Sequence, residues 1–303
     1  MRDLSVSFCG MKFKNPVTCA SGTFGSGIEY SEFVDIDKLG ALTTKGVSVT
    51  AWEGNATPRV AETPSGMMNA IGLQNPGVDV FIQRDLAFLR EHDVPVIVNV
   101  CGHSTEEYVE AVKILSDREE VSCLEINVSC PNVKEGGIAF GTDAKSLFSI
   151  TQAVKKASKK PVIMKLSPNV TDIALMARSA EEGGADAISL INTFTAMKID
   201  IYRKCFVLAN RTGGLSGPAI HPIAVRMVYE ASKAVKIPVI GMGGIACAED
   251  AIEMMMAGAT LVAVGMMNFH EPALMTDIIK DMEGYMEKTG LERISDIIGC
   301  MHG

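Results

Sequence analysis

Pro161-Val162-Ile163-Met164-Lys165-Leu166 is an apolar run closed by a lysine. It has the length of a strand and starts at a proline, and its lack of polar alternation marks a strand buried on both faces, as in a parallel sheet. Similar runs recur on either side. Upstream lie Val17-Thr18-Cys19-Ala20, residues 41–46, Pro95-Val96-Ile97-Val98-Asn99-Val100 and Cys123-Leu124-Glu125-Ile126-Asn127-Val128. Downstream lie Ala187-Ile188-Ser189-Leu190-Ile191-Asn192, Pro238-Val239-Ile240-Gly241 and Leu261-Val262-Ala263-Val264-Gly265. Helical spacing covers residues 78–92, 105–116 with Ser104 as N-cap, 144–158, 172–182, 223–235, 249–257 and 272–286. Eight strands alternating with helices, with short connections before each strand and long ones after it, predict a (β/α)8 TIM barrel that takes in residues 1–303 as one domain. An open doubly wound sheet has no reason to stop at eight units. Residues 4–8 and 12–17, flanking Cys9-Gly10-Met11, predict an N-terminal β-hairpin that plugs one end. Residues 47–76 and 193–222 read as long irregular loops at the C-terminal mouth, and loops of that length are usually functional.

Composition narrows the class of protein. The 303 residues are 47% hydrophobic, yet no stretch has the apolar length of a bilayer span and no signal-peptide core follows Met1-Arg2-Asp3, so a soluble cytoplasmic protein is expected. A formal net charge of -8 argues against a nucleic-acid surface, which needs clustered cations. The eight cysteines include no C-x-x-C pair and the five histidines no metal-binding spacing, so neither a disulfide framework nor a metal site is expected.

Polar residues at the ends of buried strands need a reason. Lys45, Asn99, Asn127, Lys165 and Asn192 each fall in the last positions of an otherwise apolar run, and a barrel would bring them to one mouth. A single asparagine there can be satisfying buried backbone; five such residues are hard to explain so. Two lysines in an apolar cleft carry a desolvation cost that an acidic small molecule, or a cofactor that gathers negative charge, would offset. After the last two strands, Gly241-Met242-Gly243-Gly244-Ile245 and Gly265-Met266-Met267 stand where barrels commonly seat a phosphate on backbone N–H groups. Cys130 follows the fourth strand in Asn127-Val128-Ser129-Cys130-Pro131-Asn132-Val133-Lys134-Glu135-Gly136-Gly137. Its neighbours are amides and glycines rather than the aliphatic surroundings of an inert thiol, which points to a reactive one. On these residues alone a barrel aldolase using Lys165 as a Schiff-base amine stays open, with Cys130 idle.

Taken together, Thr44-Lys45-Gly46, Asn69-Ala70-Ile71-Gly72-Leu73-Gln74-Asn75-Pro76-Gly77, the Ser129-Cys130-Pro131-Asn132 loop, Met164-Lys165-Leu166-Ser167-Pro168-Asn169, residues 213–220 and residues 238–245 resemble the catalytic subunit of type 1B dihydroorotate dehydrogenases, over the length of the chain. The resemblance implies an FMN enzyme of pyrimidine biosynthesis that oxidises dihydroorotate to orotate, with Cys130 as base. It implies flavin contacts at Ser21, Lys45, Gly46, Asn99, Asn127, Lys165, Ile191, Gly217, Gly243, Gly244, Gly265 and Met266. It implies substrate contacts at Lys45, Asn69, Ala70, Ile71, Gly72, Leu73, Asn127, Asn132, Asn192 and Thr193. The chain departs from the family at His221, often lysine, and at Met266-Met267, often Thr-Ala, so a hydroxyl donor is lost at the flavin phosphate. A dihydropyrimidine dehydrogenase, with the same barrel, flavin and cysteine but an uncharged substrate, is the nearest alternative.

No G-x-G-x-x-G stands between a strand and a helix and no cysteine quartet is present, so the chain encodes neither a dinucleotide-binding unit nor an iron-sulfur relay. The type 1B resemblance implies that a second subunit with FAD and a [2Fe-2S] cluster passes electrons to NAD. The expected assembly is a heterotetramer of two copies of each chain, built on a homodimer of this one.

Overall fold

A computed structural model describes residues 2–128 and 141–303. The chain opens with the hairpin β1 (Val6–Phe8) and β2 (Met11–Phe13), in register Val6 to Phe13. Its two-residue turn needs both central residues at positive φ, and Cys9 and Gly10 adopt 50° and 76°. Then come β3 (Val17–Cys19), β4 (Leu42–Thr43), β5 (Val60–Thr63), β6 (Gly66–Asn69), β7 (Val96–Val100), β8 (Val121–Asn127), β9 (Val162–Lys165) and β10 (Ala187–Leu190). After these, β11 (Phe194–Met197), β12 (Ile199–Asp200), β13 (Cys205–Phe206) and β14 (Thr212–Ser216) precede β15 (Val239–Met242) and β16 (Leu261–Val264).

Eight of these strands form one parallel sheet in the order β3-β16-β15-β10-β9-β8-β7-β4. Apart from Ser122 every residue in them is buried, which is why their sequences show no alternation. Helices cover the outer face, and their apolar residues fall on one stripe. In Thr105–Ser116 the buried set includes Tyr108, Ala111, Val112 and Leu115, the i, i+3, i+4, i+7 pattern of a helix packed on a core. Ser104 caps that helix by accepting the Glu107 N–H at 3.3 Å. Asp143 and Asp172 do the same for Ala144–Ala157 and Ile173–Glu182, each at 2.8 Å.

The sheet closes between its two ends. No regular ladder joins β3 to β4. Instead Gly40 N–H donates to the Val17 carbonyl at 2.9 Å and Thr43 N–H to the Cys19 sulfur at 3.3 Å, while Thr18 and Thr43 pair through their hydroxyls at 3.2 Å. Gly40 has to be glycine here, because a Cβ would lie 2.0 Å from the Asn15 carbonyl oxygen. The TIM barrel expected from the strand runs is therefore present, with its N-terminal hairpin.

The two long connections are more ordered than expected. They contain an antiparallel sheet, β11-β14-β6-β5, that pairs residues 60–69 with residues 194–216 across the barrel mouth. A small second core of Ala61, Met68, Ala70 and Leu208 holds it. Glycines let these strands approach: a Cβ on Gly214 would stand 1.9 Å from the Thr193 hydroxyl, and one on Gly66 2.1 Å from the Ser216 carbonyl.

Candidate active site

Between the strand tips and this antiparallel sheet lies a cavity of about 500 Å³, within the range of small-molecule and cofactor sites. Lys45 and Asn127 reach it from the ends of the second and fourth barrel strands, Lys165 from the fifth, and Ile191, Asn192 and Thr193 from beyond the sixth. Gly243, Gly244, Gly265 and Met266 supply the wall after the last two strands, with Gly217 beside them and Ser21 after the first strand. Asn69, Ala70, Ile71, Gly72 and Leu73 form the wall opposite the strand tips. Cys130 and Asn132 lie outside the described residues. Gly46 and Asn99 do not line the cavity: Asn99 is wholly buried, and a Cβ on Gly46 would meet its Oδ1 at 2.9 Å.

The lysines sit in unlike surroundings. Lys165 is 4% exposed and its Nζ lies 3.5 Å from Glu125 Oε2. No ion pair joins Lys45 to a carboxylate among the described residues. Burial pushes the Lys45 ammonium below the usual lysine range; the like charge of Lys165 adds to that, and Cys101 opposes it. An anion bound between them restores what Lys45 loses on leaving water.

The residues around the lysines are held from behind. Tyr108 donates its hydroxyl to the Asn127 carbonyl at 2.7 Å, and the Asn192 amide donates to Asn127 Oδ1 at 3.3 Å. The 69–73 wall is pinned by asparagines outside it. Asn55 donates from its side chain to the Ala70 carbonyl and from its backbone to that of Ile71, both at 3.0 Å, and Asn75 donates to the Leu73 carbonyl at 2.9 Å. Gly72 and Leu73 both take positive φ, 75° and 54°, and a Cβ on Gly72 would stand 2.6 Å from the Asn55 nitrogen.

The wall after the last two strands fits a phosphate. Gly243 and Gly244 hold φ of 136° and 70°, conformations that glycine adopts without a Cβ penalty. Among the described residues the N–H groups of Gly243, Gly244, Gly265 and Met266 donate to no protein acceptor, and all four residues line this end of the cavity, which leaves these donors available to a phosphate. The Met266 side chain is buried against Gly217, whose built Cβ would stand 2.6 Å from Met266 Cε; position 266 thus offers its backbone alone. Phosphate donors at one end, two ammonium groups among strand tips and room for a ring system between them are what FMN requires of its site.

Glu125 is the residue that strand-end reasoning passed over. It is 1% exposed, accepts from Asn99 Nδ2 at 2.5 Å and from the Ser189 hydroxyl at 2.7 Å, and faces Lys165. The signal was a charge inside an apolar strand, two residues before Asn127 and so on the same face.

Comparison with known proteins agrees with this geometry. Residues 3–286 match the family model described as dihydroorotate dehydrogenase. The chain is 62% identical over 297 residues to a Lachnoclostridium phytofermentans protein named dihydroorotate dehydrogenase B (NAD(+)), catalytic subunit, covering 98% of this chain and 99% of that one. It is 54% identical over 299 residues to a Thermoanaerobacter pseudethanolicus protein of the same name, covering 99% of each. Among solved structures, a dihydroorotate dehydrogenase from Eimeria tenella in complex with ferulenol superposes with a TM-score of 0.83, over 99% of this chain and 89% of that one; at 21% identity it supports the barrel fold. The chain belongs to the dihydroorotate dehydrogenase family.

Proposed function

We propose that this chain is the catalytic subunit of an NAD-dependent dihydroorotate dehydrogenase, which oxidises (S)-dihydroorotate to orotate in pyrimidine biosynthesis. The observation that carries the reading is one cavity lined by Lys45, Lys165, the 69–73 segment and the residues Gly243, Gly244, Gly265 and Met266, whose N–H groups have no protein acceptor among the described residues. Residues 1–303 form a single FMN-binding domain. Lys45, Asn127 and Lys165 hold the ring portion of the flavin, and Gly217, Gly243, Gly244, Gly265 and Met266 its phosphate, through backbone N–H groups. When bound, FMN supplies the hydride acceptor. The Asn69 amide, the backbone of residues 70–73, Asn192 and Thr193 hold the dihydroorotate carboxylate and ring amides, with Asn132 joining them. Cys130 Sγ takes the proton from the carbon next to the one that loses hydride, and Lys45 and Lys165 stabilise negative charge in a water-poor site.

Electrons leave through a partner subunit carrying FAD and [2Fe-2S], in a cytoplasmic heterotetramer built on a homodimer of this chain. No helix among the described residues is long and apolar enough to cross a membrane. The neighbouring Glu125 carboxylate gives Lys165 an ion pair rather than the apolar setting of a Schiff-base lysine.

The test is the visible spectrum of the purified protein, recorded anaerobically. Bleaching of a flavin band by dihydroorotate is the expected result. A colourless protein that takes up no FMN, or a flavin bleached by dihydrouracil and not by dihydroorotate, overturns the reading. NAD reduction that appears only on adding the partner chain supports the two-subunit assembly; full NAD reduction by this chain alone rejects it.

A further inference from the structure

We propose that Glu125 is a positioning residue for Lys165 and the counter-charge that sets how readily the bound flavin accepts electrons; the proposal rests on the FMN reading above. Among the described residues its carboxylate has three polar partners, each a donor: the Asn99 amide at 2.5 Å, the Ser189 hydroxyl at 2.7 Å and the Lys165 ammonium at 3.5 Å. Asn99 and Ser189 are wholly buried, Glu125 is 1% exposed and Lys165 4%. The carboxylate thus faces two hydrogen-bond donors and an ammonium group, and at this depth water screens their interaction little.

Register explains how the group forms. Asn99 pairs with Glu125 across β7 and β8, and Lys165 with Ser189 across β9 and β10, so four consecutive strands each send one polar side chain inward. Asn127 pairs with Lys165, one inward position above Glu125. The carboxylate therefore lies beneath the cavity floor, out of reach of substrate, and acts through the lysine above it. Of the three charges Lys45, Lys165 and Glu125, one positive charge is left over. Reduction of a flavin adds negative charge to its ring, which both ammonium groups favour and the carboxylate opposes. Removing the carboxylate charge while keeping its shape should make the flavin easier to reduce, and should free the Lys165 side chain from its tether.

The experiment is a redox titration of FMN-loaded protein without dihydroorotate, comparing wild type with Glu125→Gln. The expected result is normal FMN content and a reduced-to-oxidised ratio at fixed poise at least tenfold higher, a rise of about 30 mV for a two-electron couple. An unchanged or lowered potential at normal FMN content overturns the proposal. A purely structural role for Glu125 would lower thermal stability and leave the potential in place. Should the glutamine variant not fold, Glu125→Asp keeps the charge but withdraws it by one methylene, and must raise the potential by less; no movement there is equally fatal. A wild-type chain that takes up no FMN rejects the FMN reading itself, a separate outcome.

Discussion

At one end of the barrel the hairpin lays Phe8 and Phe13, both wholly buried and edge-to-face at 5.9 Å, over the strand starts, where Cys9 donates its thiol to the Asp186 carbonyl at 3.6 Å. At the other end, strands of the same sheet finish in Lys45, Asn127 and Lys165 around an open cavity. Two buried thiols are held away from reactivity. Cys123, near the start of its strand, is raised above its usual range by its contact with Cys9 and by burial, and Cys19 in the closing seam is pushed up to about 12 by burial. Neither is suited to react at neutral pH, because a nucleophilic or basic cysteine works as thiolate. Cys130, which follows the fourth strand in the sequence, lies outside the described residues. One scaffold thus spends its apolar surface at the closed end and its polar strand tips at the open one, and substitutions at the two ends should fail in different ways.

The largest effect expected is at the open end. Cys130→Ala should slow flavin reduction by dihydroorotate by about 10²–10⁴-fold, the scale of losing a general base, with FMN content and melting temperature unchanged. Stopped-flow reduction kinetics decide it. Near-normal reduction removes Cys130 from the chemistry, and a large drop in melting temperature would blur the division between the ends.

Next comes the closed end. Phe13→Ala removes a wholly buried ring from the hairpin plug and should cost about 3–5 kcal/mol of stability, as aromatic truncations in cores do. Denaturant unfolding measures the loss, and FMN affinity and turnover per folded molecule should stay at wild-type values. A matching loss of turnover would show that the hairpin reaches the site through the barrel.

Much of this division is legible in the sequence. Unbroken apolar runs are the mark of strands buried on both faces, and the helix after the third strand announced its start at Ser104 because capping is a local interaction. The antiparallel sheet over the mouth was not legible. Its pairing joins residues about 145 positions apart, as in the Asn69 contact with Gly214, and Gly66, Gly213 and Gly214 are present for close approach rather than strand propensity. Depth along the barrel axis was also hidden. Counting from the ends of the runs put Asn99 level with Asn127, whereas register sets it level with Glu125 and off the cavity wall. The same stagger concealed Glu125, since the partner that explains it is on another strand.

The smallest effect expected tests whether the open end is stabilised by its own residues or by what it binds. Lys45 is held below the usual lysine range chiefly by burial, so its charged form destabilises the flavin-free fold. Between the lowered folded value and about 10.4, where an unfolded lysine titrates, the unfolded chain binds more protons and stability rises with pH. Below the folded value the full cost is present. Lys45→Met should therefore make the flavin-free protein more stable at pH 7 by about 1 kcal/mol, and the advantage should shrink as the pH is raised toward that of the unfolded side chain. In the presence of FMN and orotate the order should reverse, because ligands that bind only the folded state add stability in proportion to their affinity, and the methionine variant gives up an ammonium that holds them. Melting curves of both proteins at pH 7 and pH 10, with and without ligands, decide the point. A methionine variant less stable than wild type in the flavin-free state would mean that Lys45 supports the barrel as Phe13 does, and that the open end is not set aside for binding.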